Sequence, residues 1–437
     1  MKRLLLTITF LFASGIANAA DLLTVYDTAA RNNPTISAAA ASLAATREDR
    51  PQAMAGLLPN ISAGGTLRRK RFKNINPSQS ANYSTDKLAS ITLTQPLFRY
   101  DSWIALKQAN STIAAAEADY SAAQQVLIVD AAERYFAILG AQDNLEFAEA
   151  EKSAISRQLD EAKQRFEVGL IAITDVKAAQ ARYDISVSQQ ILAVSELEGT
   201  RDALRELSGE YFENIFQLRK NLQLTRPEPD SAEHWVERAK QQNLQVLSAQ
   251  ASSEAARQEM RRQRAGHLPT LDLNASASYQ DVNFGGIAQI ERQDSEIGLQ
   301  LNIPIYQGGL TNSRTRQTRR LFEQATQNLQ QAVRAAELET RNAWRGIRTD
   351  IAQVNALGES LESTRVAVEA EEAGFEVGTR TIVDVLNAQR EHYLARLNYA
   401  RARYQYVLDQ LRLKRAAGIL SREDLVEINL ALQNSPE

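Results

Sequence analysis

Phe166-Glu167-Val168-Gly169-Leu170-Ile171-Ala172-Ile173-Thr174-Asp175-Val176 returns 209 residues later as Phe375-Glu376-Val377-Gly378-Thr379-Arg380-Thr381-Ile382-Val383-Asp384-Val385. Over the fifteen positions 166–180, nine residues are identical to their partners at 375–389, ending with Gln180 and Gln389. An earlier stretch repeats at an offset of 210: Asn33, Arg47, Ala55, Gly56, Leu58 and Pro59 answer to Asn243, Arg257, Ala265, Gly266, Leu268 and Pro269. Self-similarity at a fixed spacing marks a repeated supersecondary unit. The chain is therefore two diverged copies of one unit, joined near Arg226-Pro227-Glu228-Pro229-Asp230. Each copy reads helix, β-hairpin, long helix, turn, helix. Gly169 and Gly378 sit where the long helix must end and the chain reverse.

The hairpins follow from alternation. In Leu271 to Asp281, Leu271, Leu273, Ala275, Ala277 and Tyr279 alternate with Asp272, Asn274, Ser276, Ser278 and Gln280. Glu296 to Ile305 sets Ile297, Leu299, Leu301, Ile303 and Ile305 against polar neighbours, and Ile61 to Phe72 and Leu88 to Leu97 are weaker counterparts in the first copy. Each run approaches the roughly 9–11 residues of a tilted transmembrane strand. A half-buried soluble sheet alternates in the same way.

Helices account for most of the remainder. No proline falls between Pro96 and Pro227 or between Pro304 and Pro436, and these stretches are rich in Ala, Gln, Glu, Arg and Leu, all strong helix formers. At 1.5 Å per residue the run from Tyr100 to Glu167 spans on the order of 100 Å. Small residues such as Ala114, Ala115, Ala118 and Ala122 permit close helix contact, while charged rows face water. The Gly308-Gly309 pair reads as a strand-to-helix bend rather than a phosphate cradle.

Four strands cannot close a membrane barrel, because single-chain barrels begin at eight and an open edge in lipid leaves backbone groups unpaired. If the strands span a membrane, subunits must share the barrel: a dimer with eight strands, a trimer with twelve, or more. A polar strand face and water-compatible helices favour an aqueous lumen over an eight-stranded barrel filled by side chains.

The beginning of the chain fixes the expected compartment. Lys2 and Arg3 precede an apolar run over 4–16, and Ala17-Asn18-Ala19 forms a small-x-small cleavage site, the pattern of a secretory signal peptide over residues 1–19. The chain has no cysteine, so neither a disulfide framework nor thiolate chemistry is available. With 50 basic and 53 acidic residues the formal charge is −3, and no nucleic-acid footprint is expected. The local exception, Arg68-Arg69-Lys70-Arg71-Phe72-Lys73, reads as a solvated or headgroup-facing loop end. His234, His267 and His392 are scattered, no pair stands at metal-ligand spacing, and no nucleophile elbow, P-loop or dinucleotide fingerprint occurs. The protein is expected to be no enzyme and to need no cofactor.

His267-Leu268-Pro269-Thr270-Leu271-Asp272-Leu273, Pro304-Ile305-Tyr306-Gln307-Gly308-Gly309 and the two turn motifs, with the signal segment and the repeat, closely resemble the TolC-like outer membrane efflux and secretion channel family over essentially the whole mature chain. The resemblance implies an α+β membrane protein: a homotrimer in which four transmembrane β-strands per chain contribute to a shared 12-stranded barrel in outer membrane lipid. The long α-helices continue it as a periplasmic α-helical barrel. It further implies a periplasmic adaptor (membrane fusion) protein and an inner-membrane transporter as partners, with efflux or type I protein secretion as the function. The competing expectation is a structural periplasmic coiled-coil stalk or adaptor without a channel.

The resemblance also implies a gate at the turns. Arg380 would bond to Thr174 and Asp175 across neighbouring hairpins, and Asp384 from three subunits would form an acidic constriction. Phe375 replaces the family's tyrosine and cannot make its hydroxyl bond, and Asn387 replaces a second acid. Thr381 with Asp384, and Thr174 with Asp175, also fit helix-start capping. The resulting domain layout is repeat 1 over 20–226, with its hairpin about 60–97 and helical pair about 100–208, and repeat 2 over 227–437, with its hairpin about 270–305, helical pair about 308–417 and a C-terminal equatorial segment.

Overall fold

A computed structural model of the chain describes residues 19–73, 82–219, 222–284 and 288–433, so the signal segment lies outside it except for its last residue. Helices α1 (Leu22–Asn32), α2 (Pro34–Arg47) and α3 (Asp49–Ala55) lead into strands β1 (Asn60–Phe72) and β2 (Asn82–Phe98), then α4 (Tyr100–Glu167) and α5 (Ile173–Ser208). After the short β3 (Gln217–Leu218) the order recurs: α6 (Ala232–Gln242), α7 (Leu244–Ala265), β4 (Thr270–Asn283), β5 (Gln289–Asn302), α8 (Leu310–Glu376) and α9 (Ile382–Ala416). Helix α10 (Arg422–Asn429) and β6 (Leu432–Gln433) follow, and β6 pairs with β3. Among the described residues no helix is long and apolar enough to cross a membrane.

Compactness cuts across the repeats. One unit takes 123–243 and 336–437 together with the described part of 1–37; the other takes 38–122 and 244–335.

The second unit holds a four-stranded antiparallel sheet in the order β1-β2-β4-β5. Its register places Ile61 opposite Leu93, Leu93 opposite Ala275 and Ala275 opposite Ile297, so one face is apolar. Ile61, Ile297 and Leu299 on it are 68%, 74% and 67% exposed. On the other face Ser62 and Thr92 share a 2.7 Å hydrogen bond, and Asn274 accepts from Thr94 at 3.0 Å while donating to Gln300 at 2.9 Å. An apolar face left open to the surroundings is the reverse of a soluble sheet.

The strands end where backbone chemistry requires. The expected Glu296 to Ile305 strand instead stops at Asn302 and begins at Gln289, because Pro304 has no N–H to continue the ladder. In the first hairpin, β2 extends to Phe98 with a register shift between Pro96 and Phe98, the local answer to the same problem. Both strands thus differ from the expected limits, as does β4, which begins at Thr270 and runs to Asn283. The bend after β5 is made by Gly308 and Gly309, at φ +60° and +82°, values that glycine adopts without strain. Arg99 closes the sheet's end with two bonds to the Asp272 carboxylate, at 3.0 and 2.9 Å.

The first unit is built around Leu22, Val25, Tyr135, Ile138, Leu139, Ile347, Tyr406 and Leu411, all almost fully buried. The repeated asparagines have matching work here. Asn33 caps α2 by accepting from Thr35 and Ile36 at 2.8 and 3.2 Å, and donates to Leu207 O at 3.0 Å; Asn243 donates to Ala416 O at 2.9 Å. Each asparagine therefore satisfies one carbonyl left unpaired at the end of α5 or α9. Gly209 and Gly418, at φ +75° and +76°, follow those helix ends.

Candidate functional site

The two turns that join the long helices are built alike. After α4, Gly169 at φ +77° gives its N–H to Phe166 O at 2.9 Å and Leu170 gives its own to Arg165 O at 2.8 Å. After α8, Gly378 at φ +80° binds Phe375 O at 3.1 Å, and Thr379 and Arg380 both donate to Gly374 O, at 2.9 and 3.2 Å. Glycine is required at 169 and 378 because a side chain is disfavoured at that φ.

Each following helix opens on a carboxylate. Asp384 Oδ2 accepts from the Thr381 N–H at 2.9 Å and the Thr381 hydroxyl at 2.7 Å, while the hydroxyl takes the Asp384 N–H at 3.3 Å, a capping box. The Thr381 backbone N–H, then its hydroxyl and the Arg380 charge, hold the Asp384 carboxyl below the ordinary carboxylate value. Asp175 Oδ2 accepts from the Ala172 N–H at 3.3 Å. Thr174 is exposed beside it.

Beneath the turns an apolar cluster of Ile155, Leu159, Ala162, Ala179, Ile382 and Leu386 joins α4, α5 and α9, with Phe375 of α8 packed against it. Phe375 has a partner suited to an aromatic without a hydroxyl: the Arg165 guanidinium lies 4.3 Å from its ring centre, a cation–π contact. Asn387 accepts from Arg182 Nη2 at 3.0 Å, tying α9 to α5, and Gln389 donates to Glu372 at 2.8 Å, tying α9 to α8.

Arg380 does not touch Thr174 or Asp175 within one chain; its Nε pairs with Glu371 Oε2 at 3.2 Å. That contact is an ion pair rather than a hydrogen bond, so the guanidinium keeps its five donors for other acceptors, and the side chain is 56% exposed. A Cβ at Gly374 would stand 2.6 Å from Arg380 Cγ, so the absence of a side chain at 374 lets Arg380 fold back over α8. Gly374, Glu371, Arg165 and Arg182 escaped the sequence reading. The spacing of Glu371, three residues before Gly374 on one helical face, was the available signal. Among the described residues no His, Cys, Asp and Glu group is arranged to hold a metal.

Long paired helices joined to a small antiparallel sheet are the architecture of solved outer membrane channels. The outer membrane channel CmeC of Campylobacter jejuni superposes with a TM-score of 0.81 over 94% of this chain and 90% of its own, at 18% identity. The outer membrane protein TolC of Vibrio cholerae is 38% identical over 421 residues, 95% of this chain and 94% of its own length. The alkaline protease secretion protein AprF of Pseudomonas aeruginosa is 27% identical over 97% and 90%. The outer membrane efflux protein family model matches residues 25–210 and again 235–419, and the chain belongs to that family. It is an outer membrane protein and forms an exit duct.

Proposed function

We propose that three copies of this chain close one twelve-stranded barrel in the outer membrane, and that their paired helices carry the duct into the periplasm for small molecules and for type I secreted proteins. The observation that carries this reading is the four-stranded sheet whose outer strands β1 and β5 each have one neighbour and whose apolar face is exposed. Backbone groups on such edges need partners in lipid, and identical copies supply them. Leu273 and Leu299 then face lipid, and Asn274 and Gln300 face the lumen. A periplasmic adaptor and an inner-membrane transporter load the duct; the protease-secretion relative supports the protein-export role. The duct transforms nothing it carries.

The turns form the periplasmic gate. In the trimer the free edge of Arg380, a fork that suits several acceptors at once, reaches Thr174 and Asp175 of a neighbouring hairpin while Nε stays on Glu371. Three Asp384 carboxylates, held ionised by their caps, give the mouth a cation preference. The expected mass of the detergent-solubilised complex is that of three chains, and a monomer with channel activity would refute the shared barrel. In planar bilayers Arg380→Ala is expected to raise conductance or open probability without loss of assembly, and Asp384→Asn to weaken cation selectivity. Unchanged values for both would leave these residues as structural caps and place the gate elsewhere.

A further inference from the structure

The geometry points to an electrostatic seam in the barrel, in which Lys70 and Arg68 on β1 of one copy meet Glu296 on β5 of the next. The inference rests on the shared-barrel reading above and assigns its register and the residues that lock it. Successive antiparallel pairings leave β5 antiparallel to β1, so β5 of one copy accepts β1 of the next with both copies pointing the same way.

The chain holds its own template for this contact. The β2–β4 pairing joins the two repeats within one chain, and β5 with the next β1 is the same junction between chains. Pro59 and Pro269 align β1 with β4, and Pro96 and Pro304 align β2 with β5. Carried over residue by residue, Leu88 opposite Gln280 becomes Glu296 opposite Lys70, and Ser90 opposite Ser278 becomes Gly298 opposite Arg68. The register thereby places the first two even-numbered positions of the basic run beside an acid rather than beside another base.

Face and space agree with that pairing. Lys70 and Arg68 share the face of β1 that carries Ser62 and Thr66, the same face of the sheet on which Glu296 lies with Gln300. A Cβ at Gly298 would meet nothing within 4 Å, which leaves room for the Arg68 side chain to lean toward Glu296. Among the described residues Arg68, Lys70 and Glu296 are all exposed and have no ion-pair partner within the chain. The template junction itself carries an ion pair, Lys87 with Asp281 at 3.1 Å. Directly opposed unlike charges favour a strand pair and like charges disfavour it, so the seam also selects head-to-tail closure over pairing of two β1 edges, which would set basic run against basic run.

The chain has no cysteine, so Lys70→Cys with Glu296→Cys in one chain reports the register directly. Opposed residues in an antiparallel pair lie about 4.5–5.5 Å apart at Cα, within reach of a disulfide. Oxidised membranes are expected to yield covalent trimers on denaturing gels, while Lys70→Cys with Asp294→Cys, slipped by two residues, yields few. Lys70→Glu is expected to lower the temperature at which the detergent-solubilised complex dissociates by several degrees, and adding Glu296→Lys to restore it. If Lys70→Glu fails to reach the membrane, the cysteine pairs carry the test alone. A complex of trimer mass that cross-links through Asp294 and not Glu296, or that shows no rescue, overturns the seam and spares the shared barrel. A complex of single-chain mass overturns both.

Discussion

Gly418→Ala is expected to destabilise the protein far more than Gly209→Ala, although the two glycines occupy equivalent places in the repeat with nearly equal φ of +76° and +75°. The backbone conformation alone costs a non-glycine residue about 1–2 kcal/mol. At Gly209 little else opposes a methyl group, since the nearest atom is the Asn32 Cβ at 3.4 Å. At Gly418 the new Cβ would fall 2.0 Å from Gln242 O and 2.7 Å from the Asn243 N–H nitrogen, and neither backbone atom can rotate away. The end of α6 must then move, and with it the Asn243 bond to Ala416 O. A loss above about 4 kcal/mol is expected for Gly418→Ala, in the range kept for severe core disruption, against about 1–2 kcal/mol for Gly209→Ala. Denaturant midpoints of the two variants measure the difference. Equal midpoints would mean that the close approach at 418 relaxes freely.

The second large effect is on pH dependence. Asp350 of α8 is buried close to Asp409 of α9; burial first, and the Asp409 charge second, push its carboxyl up to about 7. Gly346 makes the approach possible, because a Cβ there would lie 2.8 Å from Asp409 Oδ2. Arg412 faces the pair from α9, bonding Asp409 at 2.8 Å and Glu133 of α4 at 3.2 Å, and Gln405 donates to Asp409 at 2.8 Å. A carboxyl raised above its unfolded value stabilises the fold fully below that value, and the contribution is lost as pH rises toward 7. The Asp350 contribution to wild-type stability is therefore expected to be lost between about pH 4 and 7. Asp350→Asn keeps a donor for Asp409 without the charge. It should flatten the slope and gain at most about 4 kcal/mol at pH 8, at about 1.4 kcal/mol per unit. Parallel slopes for wild type and variant would show that Asp350 does not titrate in this range.

The hairpins and helical pairs were legible because each has a periodicity that burial or lipid must respect. Their ends were less so: β5 was read through Pro304, where side-chain alternation persists while the backbone ladder cannot. At the turns, Gly169, Gly378 and the Thr381–Asp384 box were legible because φ and capping have fixed residue signatures. Gly374 was not, since its role is to leave space for Arg380 rather than to adopt an unusual φ. Arg182 and Asn387, 205 positions apart, meet only once four helices are packed. Asp350 and Asp409 likewise resemble solvated helix-surface residues until α8 and α9 are brought together.

The bare strands β1 and β5, of 13 and 14 residues, also bear on the time before assembly. A chain newly delivered to the periplasm with this sheet already formed would present two long adhesive borders, a ready template for aggregation with any extended segment. Non-local strand pairing is slow, and exposed apolar strands are hazardous while it proceeds. The helices, rich in local contacts, are free to form early, so safe biogenesis requires the sheet to mature last, once its open edges and apolar face meet their final surroundings. The timing of export and the chaperoning of this segment are thus tied to the same unpaired hydrogen-bonding groups along the two edges of the sheet.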